Sequence, residues 1–207
     1  MGKRIIFVVA FILVIGLAGL ANAVQKTVTF DTGLQTPDYY GYSYLGEYDG
    51  LLWGNVGYVD VTNAWTTDFE KARVSGNNVA YSYSTFWFMD IVSISMPDTI
   101  SHFDFISAYL NSVWQDATPL EVTGSRNGET VYDMTFDLGT TGAALYTFNF
   151  TDVDLVTLVG FGWIPTFAMD NVTYDDRTAP IQTPEPATFC LLAMGLLSLA
   201  GFRKRLK

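Results

Sequence analysis

From residue 25 onward the chain is a succession of short segments rich in Val, Thr, Tyr and Phe, broken at intervals of about ten residues by Gly, Asn, Asp and Pro. No long stretch has helical spacing, and this punctuation is that of an all-β sandwich. The pattern predicts ten strands, at residues 25–30, 57–62, 78–84, 90–95, 101–109, 120–124, 129–136, 144–150, 155–160 and 167–174. Ten strands require two sheets. In Ser101-His102-Phe103-Asp104-Phe105-Ile106, Phe103 and Phe105 fall on one face and His102, Asp104 and Ile106 on the other, so the aromatic face is the expected core face. Asn127-Gly128 separates two alternating segments and predicts a tight antiparallel hairpin, because both residues tolerate positive φ. Residues 34–57, rich in Gly and Tyr, read as long loops around a short strand near residues 51–53.

The two ends of the chain break this pattern. Lys3 and Arg4, an apolar run over residues 5–20 and Ala21-Asn22-Ala23 have the order of a secretory signal peptide cleaved after Ala23. At the other end Pro184-Glu185-Pro186 interrupts any preceding helix, and sixteen uncharged residues, 187–202, lead into Arg203, Lys204 and Arg205. As a helix this run spans about 24 Å, short of a hydrocarbon core of about 30 Å. The basic end would stay on the cytoplasmic side. This order of elements resembles the PEP-CTERM sorting signal of exported bacterial proteins, with Thr183 where Val is usual and Ala187-Thr188 as in the usual form. The resemblance implies recognition by a membrane-bound exosortase that cuts near the motif. The expected organisation is a signal peptide (1–23), a β-domain (24–180) and a sorting segment (181–207) that anchors the chain in the membrane before processing.

With the ends set aside, the composition changes. They contain six of the eleven basic residues and one of the twenty-one acidic ones, so residues 24–183 keep five bases against twenty acids, a formal charge of −15. That balance excludes nucleic acid and anionic membrane surfaces as partners, since basic patches supply affinity for both. It favours cations. The one cysteine, Cys190, lies in the C-terminal apolar run, so the β-domain must hold its core without a disulfide.

Three segments carry the sharpest chemical hint: Thr29-Phe30-Asp31-Thr32-Gly33 at the end of the first strand, Ser75-Gly76-Asn77-Asn78 before a later one, and Met169-Asp170-Asn171 in the last. Their order resembles the jelly-roll, galactose-binding-like carbohydrate-binding modules that hold a structural calcium ion. In those modules an acid after an aromatic in the first strand, a Gly-Asn turn and an Asp in the last strand converge on one ion. The resemblance implies a Ca2+ site formed by Asp31, Asp170, Ser75 and the backbone carbonyls of Thr29 and Asn78. Ser75 stands where the family often has a carboxylate. The implied fold is a two-sheet jelly-roll sandwich flanked by an N-terminal signal helix and a C-terminal hydrophobic helix.

The same chain offers Tyr40, Tyr42, Tyr44 and Trp53 in one Gly-rich stretch, an expected aromatic platform for a polysaccharide. Trp87, between Phe86 and Phe88, and Trp114 are either core or surface. Catalytic signals are sparse: His102 is the only histidine, the β-domain has no cysteine, and neither a Gly-x-Ser-x-Gly elbow nor a paired-histidine zinc motif occurs. The expectation is an exported, non-catalytic protein of the cell surface or extracellular matrix, stabilised by calcium and binding exopolysaccharide. The alternatives are a matrix protein without a glycan site and, last, a glycoside-active enzyme using two of the many carboxylates.

Overall fold

In the computed structural model, residues 24–34, 42–62, 67–83, 88–98 and 101–176 are described. They belong to a compact unit, Ala23–Thr178; a second unit, made of Met1–Asn22 and Ala179–Lys207, lies outside the described residues. The expected signal peptide with Ala23, and the expected sorting segment with Pro184, Glu185, Pro186, Arg203, Lys204 and Arg205, therefore lie outside them too. Among the described residues no helix is long and apolar enough to cross a membrane.

The unit is a sandwich of two antiparallel sheets. One contains β11 (Ala144–Val153), β8 (Phe103–Ser112), β13 (Phe167–Asp176), β6 (Asn78–Ser82), β5 (Val56–Asp60) and β2 (Tyr42–Tyr44), in that order, with β1 (Val24–Val28) also paired to β13. The other runs β10 (Glu129–Leu138), β9 (Thr118–Arg126), β12 (Leu155–Phe161), β7 (Met89–Ser95), β4 (Leu51–Gly54) and β3 (Glu47–Tyr48). All ten strands expected from the pattern are present. The stretch read as long loops holds two further short strands, β2 and β3. They escape the pattern because runs of three and two residues are too short to show alternation.

Alternation decides what is buried. Phe103 and Phe105 are fully buried between the sheets, where Phe105 stacks on Phe148 with centroids 4.9 Å apart. The Asn127-Gly128 hairpin joins β9 and β10 with φ of 52° and 82°, the conformation of a type I′ turn. β5 and β6 are apolar on both faces: Tyr58 and Ala80 enter the main core, whereas Val59, Val79 and Tyr81 form a second cluster with Phe69 and Ala72. That cluster exists because the β5–β6 connection, with its single helical turn α1 (Thr67–Glu70), returns over the outer face of the first sheet.

The neighbours of β13 position the candidate site. β8 pairs along one of its edges. On the other edge β6 pairs with Ala168 and Met169, and β1 pairs from Val172 to Asp176. Asp170 and Asn171 fall where one neighbour gives way to the other, and the register against β8 shifts at the same place. Backbone groups at such a junction lose ladder partners and need side chains to complete their hydrogen bonds.

Candidate functional site

The side chains that do so are those singled out in sequence. The chain leaves β1 through Thr29 and Phe30; a φ of 60° at Phe30 accompanies its ring in the core, against Tyr48 and Trp53, with Asp31 next in the chain. Asp31 Oδ1 accepts the backbone N–H groups of Asn77 (2.9 Å) and Asn78 (3.2 Å). The Asn78 side-chain amide donates to the Phe30 carbonyl at 3.0 Å, fastening the end of β1 to the start of β6. Asp170, fully buried, accepts the N–H groups of Val74 (2.7 Å) and Ser75 (2.9 Å) on Oδ2 and that of Asn171 (2.7 Å) on Oδ1.

Ser75 links the two acids. Its backbone N–H donates to Asp170, and its hydroxyl reaches Asp31 Oδ2 at 3.4 Å and Asn171 Oδ1 at 2.7 Å. Gly76, at φ +50°, is obligatory in this turn: a Cβ there would lie 1.9 Å from the Asp31 carboxyl carbon. Asp31, Ser75, Asn78 and Asp170 are thus brought together, with Thr29 half-buried two residues before Asp31. Asn171 is a member that the sequence reading passed over. Its signal was the Asp-Asn pair in a strand, a place for a residue that accepts a φ of 47°.

Electrostatically the junction is one-sided. Burial raises the Asp170 carboxyl to about 6; the N–H groups of Ser75, Val74 and Asn171 pull it down, and nearby Asp31 pushes it up. Two carboxylates, a hydroxyl and an amide oxygen are hard oxygen donors, the kind calcium takes, rather than a transition-metal set. Among the described residues no group of three or more His, Cys, Asp or Glu gathers as a metal cluster. Calcium here would draw its remaining oxygens from backbone carbonyls and water.

The expected aromatic platform is redistributed. Trp53 is 3% exposed, packs on Phe30 and donates its indole N–H to the Tyr48 carbonyl at 3.0 Å, so it is a core residue and not part of a surface. Its strand β4 alternates Leu51 and Trp53 inward, which accounts for the difference. Tyr40 lies outside the described residues, and Tyr42 is placed only as a β2 residue paired with Val59. Tyr44 is 69% exposed and meets Tyr83 with ring centroids 4.5 Å apart.

Tyr44 has company that the sequence did not reveal. Among the described residues, Tyr44, Tyr83, Phe88, Trp114, Phe161 and Trp163 are the large aromatic side chains exposed by more than a third. All six map to one end of the sandwich. Tyr44 pairs with Gly57 beside the β4–β5 turn, and Tyr83 follows β6, its N–H donating to Asn55 at that turn. Phe88 precedes β7, Phe161 closes β12 opposite Met89, Trp163 follows it, and Trp114 follows β8. Hydrogen bonds from Ser82 to Asp90 and between Ser112 and Thr118, each 2.7 Å, tie the two sheets together here. Sequence spacing could not show the grouping, because these rings come from connections far apart in the chain.

The opposite end is charged. Arg126 donates to the carbonyls of Thr151 and Asp152 and pairs with the Asp152 carboxylate at 3.0 Å, whose other oxygen meets His102 Nδ1 at 3.0 Å. The lone histidine, just before β8, is held in this tie between the ends of β9 and β11. Val24 and Asp176, the first and last described residues, are register partners at this same end, where Lys26 pairs with Asp176.

Comparison with known proteins adds an address. No curated protein matches the chain in sequence. Solved structures of similar shape include a cleaved adhesin domain of Lys-gingipain (12% identity, 73% of this chain and 99% of that one, TM-score 0.45). A family 29 carbohydrate-binding module from Piromyces equi is another (11%, 79% and 97%, 0.39). A third is the CBM22-1-CBM22-2 tandem domain from Paenibacillus barcinonensis Xyn10C (13%, 80% and 49%, 0.45). The two-sheet architecture stands on the strand pairing itself. Residues 182–205 match the PEP-CTERM protein-sorting motif, the mark of a chain exported and processed by an exosortase.

Proposed function

We propose that this is a non-catalytic polysaccharide-binding protein of the cell surface or extracellular matrix, with a calcium ion fastening the first strand to the last. The observation that carries the binding reading is the gathering, at one end of the domain, of the strongly exposed aromatic side chains among the described residues. Rings left in water at a cost of lost burial serve to meet something, and pyranose rings present C–H faces that suit them. Tyr44, with its ring centroid 4.5 Å from that of Tyr83, is the part of this surface that the sequence had already marked. Calcium is supported by the donor chemistry of Asp31, Asp170, Ser75 and Asn171 and by the burial of Asp170 without a basic partner in its hydrogen bonds. A non-catalytic role is supported by the sparse catalytic signals of the sequence, with one histidine, no Gly-x-Ser-x-Gly elbow and no paired-histidine zinc motif.

A glycan array probed with the domain of residues 23–178 tests the binding reading. The expected result is retention on polysaccharides, weakened by Tyr44→Ala and Tyr83→Ala. Absence of binding across the array favours a matrix protein without a glycan site, and turnover of a bound polymer favours an enzyme.

A further inference from the structure

Within the aromatic end, Phe88 and Trp163 stand apart as the most exposed neighbouring rings after Tyr44, at 63% and 60%, with centroids 5.5 Å apart and planes at 71°. The backbone beneath them is anchored. Gly162 N–H donates to the Phe88 carbonyl at 3.3 Å, and Val113 N–H donates to Thr166 at 3.0 Å, which holds the β12–β13 and β8–β9 connections side by side. The half-buried Gln115 lays its amide against this floor, its oxygen and nitrogen each 3.1 Å from where a Cβ on Gly162 would be.

Two rings at a steep angle combine a face with an edge. Beside them a primary amide supplies a donor pair and an acceptor. Apolar faces next to amide groups match a sugar unit, whose C–H surface stacks while its hydroxyls both give and take hydrogen bonds. Charge narrows the class. In the connections that build this floor, residues 88–89, 113–117 and 161–166, the one charged side chain is Asp116. No cation is present there to hold a carboxylate, sulfate or phosphate, and the acid repels them.

We infer that Phe88, Trp163 and Gln115 form a binding subsite for the neutral pyranose units of a polysaccharide, in addition to the Tyr44–Tyr83 pair; this rests on the carbohydrate reading above. Both chain ends of the domain, Val24 and Asp176, emerge at the opposite end, so a polymer lying on this subsite meets neither.

Native affinity electrophoresis of the domain through gels containing soluble neutral β-glucan, galactan or mannan, or acidic alginate or a sulfated galactan, separates the outcomes. The expected result is retardation by a neutral polymer. Phe88→Ala and Trp163→Ala each weaken it about tenfold or more, Gln115→Ala weakens it several-fold, and all three leave the melting temperature near that of the parent. Parent-like retardation of the Phe88 and Trp163 variants, with loss on Tyr44→Ala, would overturn the subsite and leave the carbohydrate reading standing. Retardation by acidic polymers alone would do the same. Retardation by no polymer overturns both.

Discussion

Replacing Asp170 with Asn should have different consequences with and without calcium. The Asp170 carboxyl is raised from 3.8 to about 6, first by burial. A carboxyl whose value is higher in the folded state binds its proton more tightly there. Its contribution is therefore fully present below about pH 4 and is lost as pH rises to about 6. Above that, ionised Asp170 costs the cation-free domain up to about 3 kcal/mol, taking 1.36 kcal/mol for each pH unit. Asp170→Asn removes this cost but leaves one of three backbone N–H groups without its acceptor, a loss of about 1–3 kcal/mol. In chelator at pH 8 the variant should thus lie within about 2 kcal/mol of the parent, on either side. Calcium at a hundred times its dissociation constant adds about 2.7 kcal/mol to the parent, or about 5–10 °C in melting temperature for a domain of this size. The variant should gain little. Thermal melts followed by tryptophan fluorescence, at pH 5 and pH 8 in chelator or calcium, read all of these values. A parent indifferent to calcium, or a variant that responds as the parent does, refutes the cation site. A variant more than about 4 kcal/mol less stable in chelator refutes the electrostatic argument.

Other substitutions probe the same frame. Gly76→Ala places a methyl onto the Asp31 carboxyl and should lower the melting temperature and abolish the calcium response together. Trp53→Ala empties a core position and should cost about 3–5 kcal/mol by urea unfolding, whereas Tyr44→Ala should cost less than about 0.5 kcal/mol. Arg126→Ala removes the tie to Asp152 and its carbonyl contacts, with an expected loss of about 1–2 kcal/mol by the same assay, because the side chain is partly exposed. Replacing Pro184 and Pro186 with Ala should leave unprocessed precursor in the membrane fraction, seen as a larger band on immunoblots of the producing cell.

How much was legible beforehand follows from the range of each signal. Strand positions are local: the alternation around Phe103 and Phe105 and the turn chemistry of Asn127-Gly128 were sufficient. The convergence of Asp31 and Asp170 was legible by resemblance, since first and last strands meet in this fold, but Asn171 was not, because its place depends on a register shift in β13. Trp53 shows the limit of composition. A tryptophan in a tyrosine-rich stretch reads as surface, yet its inward position in β4 sends it to the core. The aromatic end was invisible for a related reason. It is assembled from residues near positions 44, 83, 88, 114 and 161–163, whose proximity arises from sheet order rather than from spacing in the chain.

The most direct test of the account is a titration of the 15N-labelled domain with an oligosaccharide of a neutral β-glucan, galactan or mannan. Chemical-shift changes are expected at Tyr83, Phe88, Trp114 and the Trp163 indole N–H, with none around His102 and Arg126. Changes confined to the charged end, or no changes with any of the three, would contradict it.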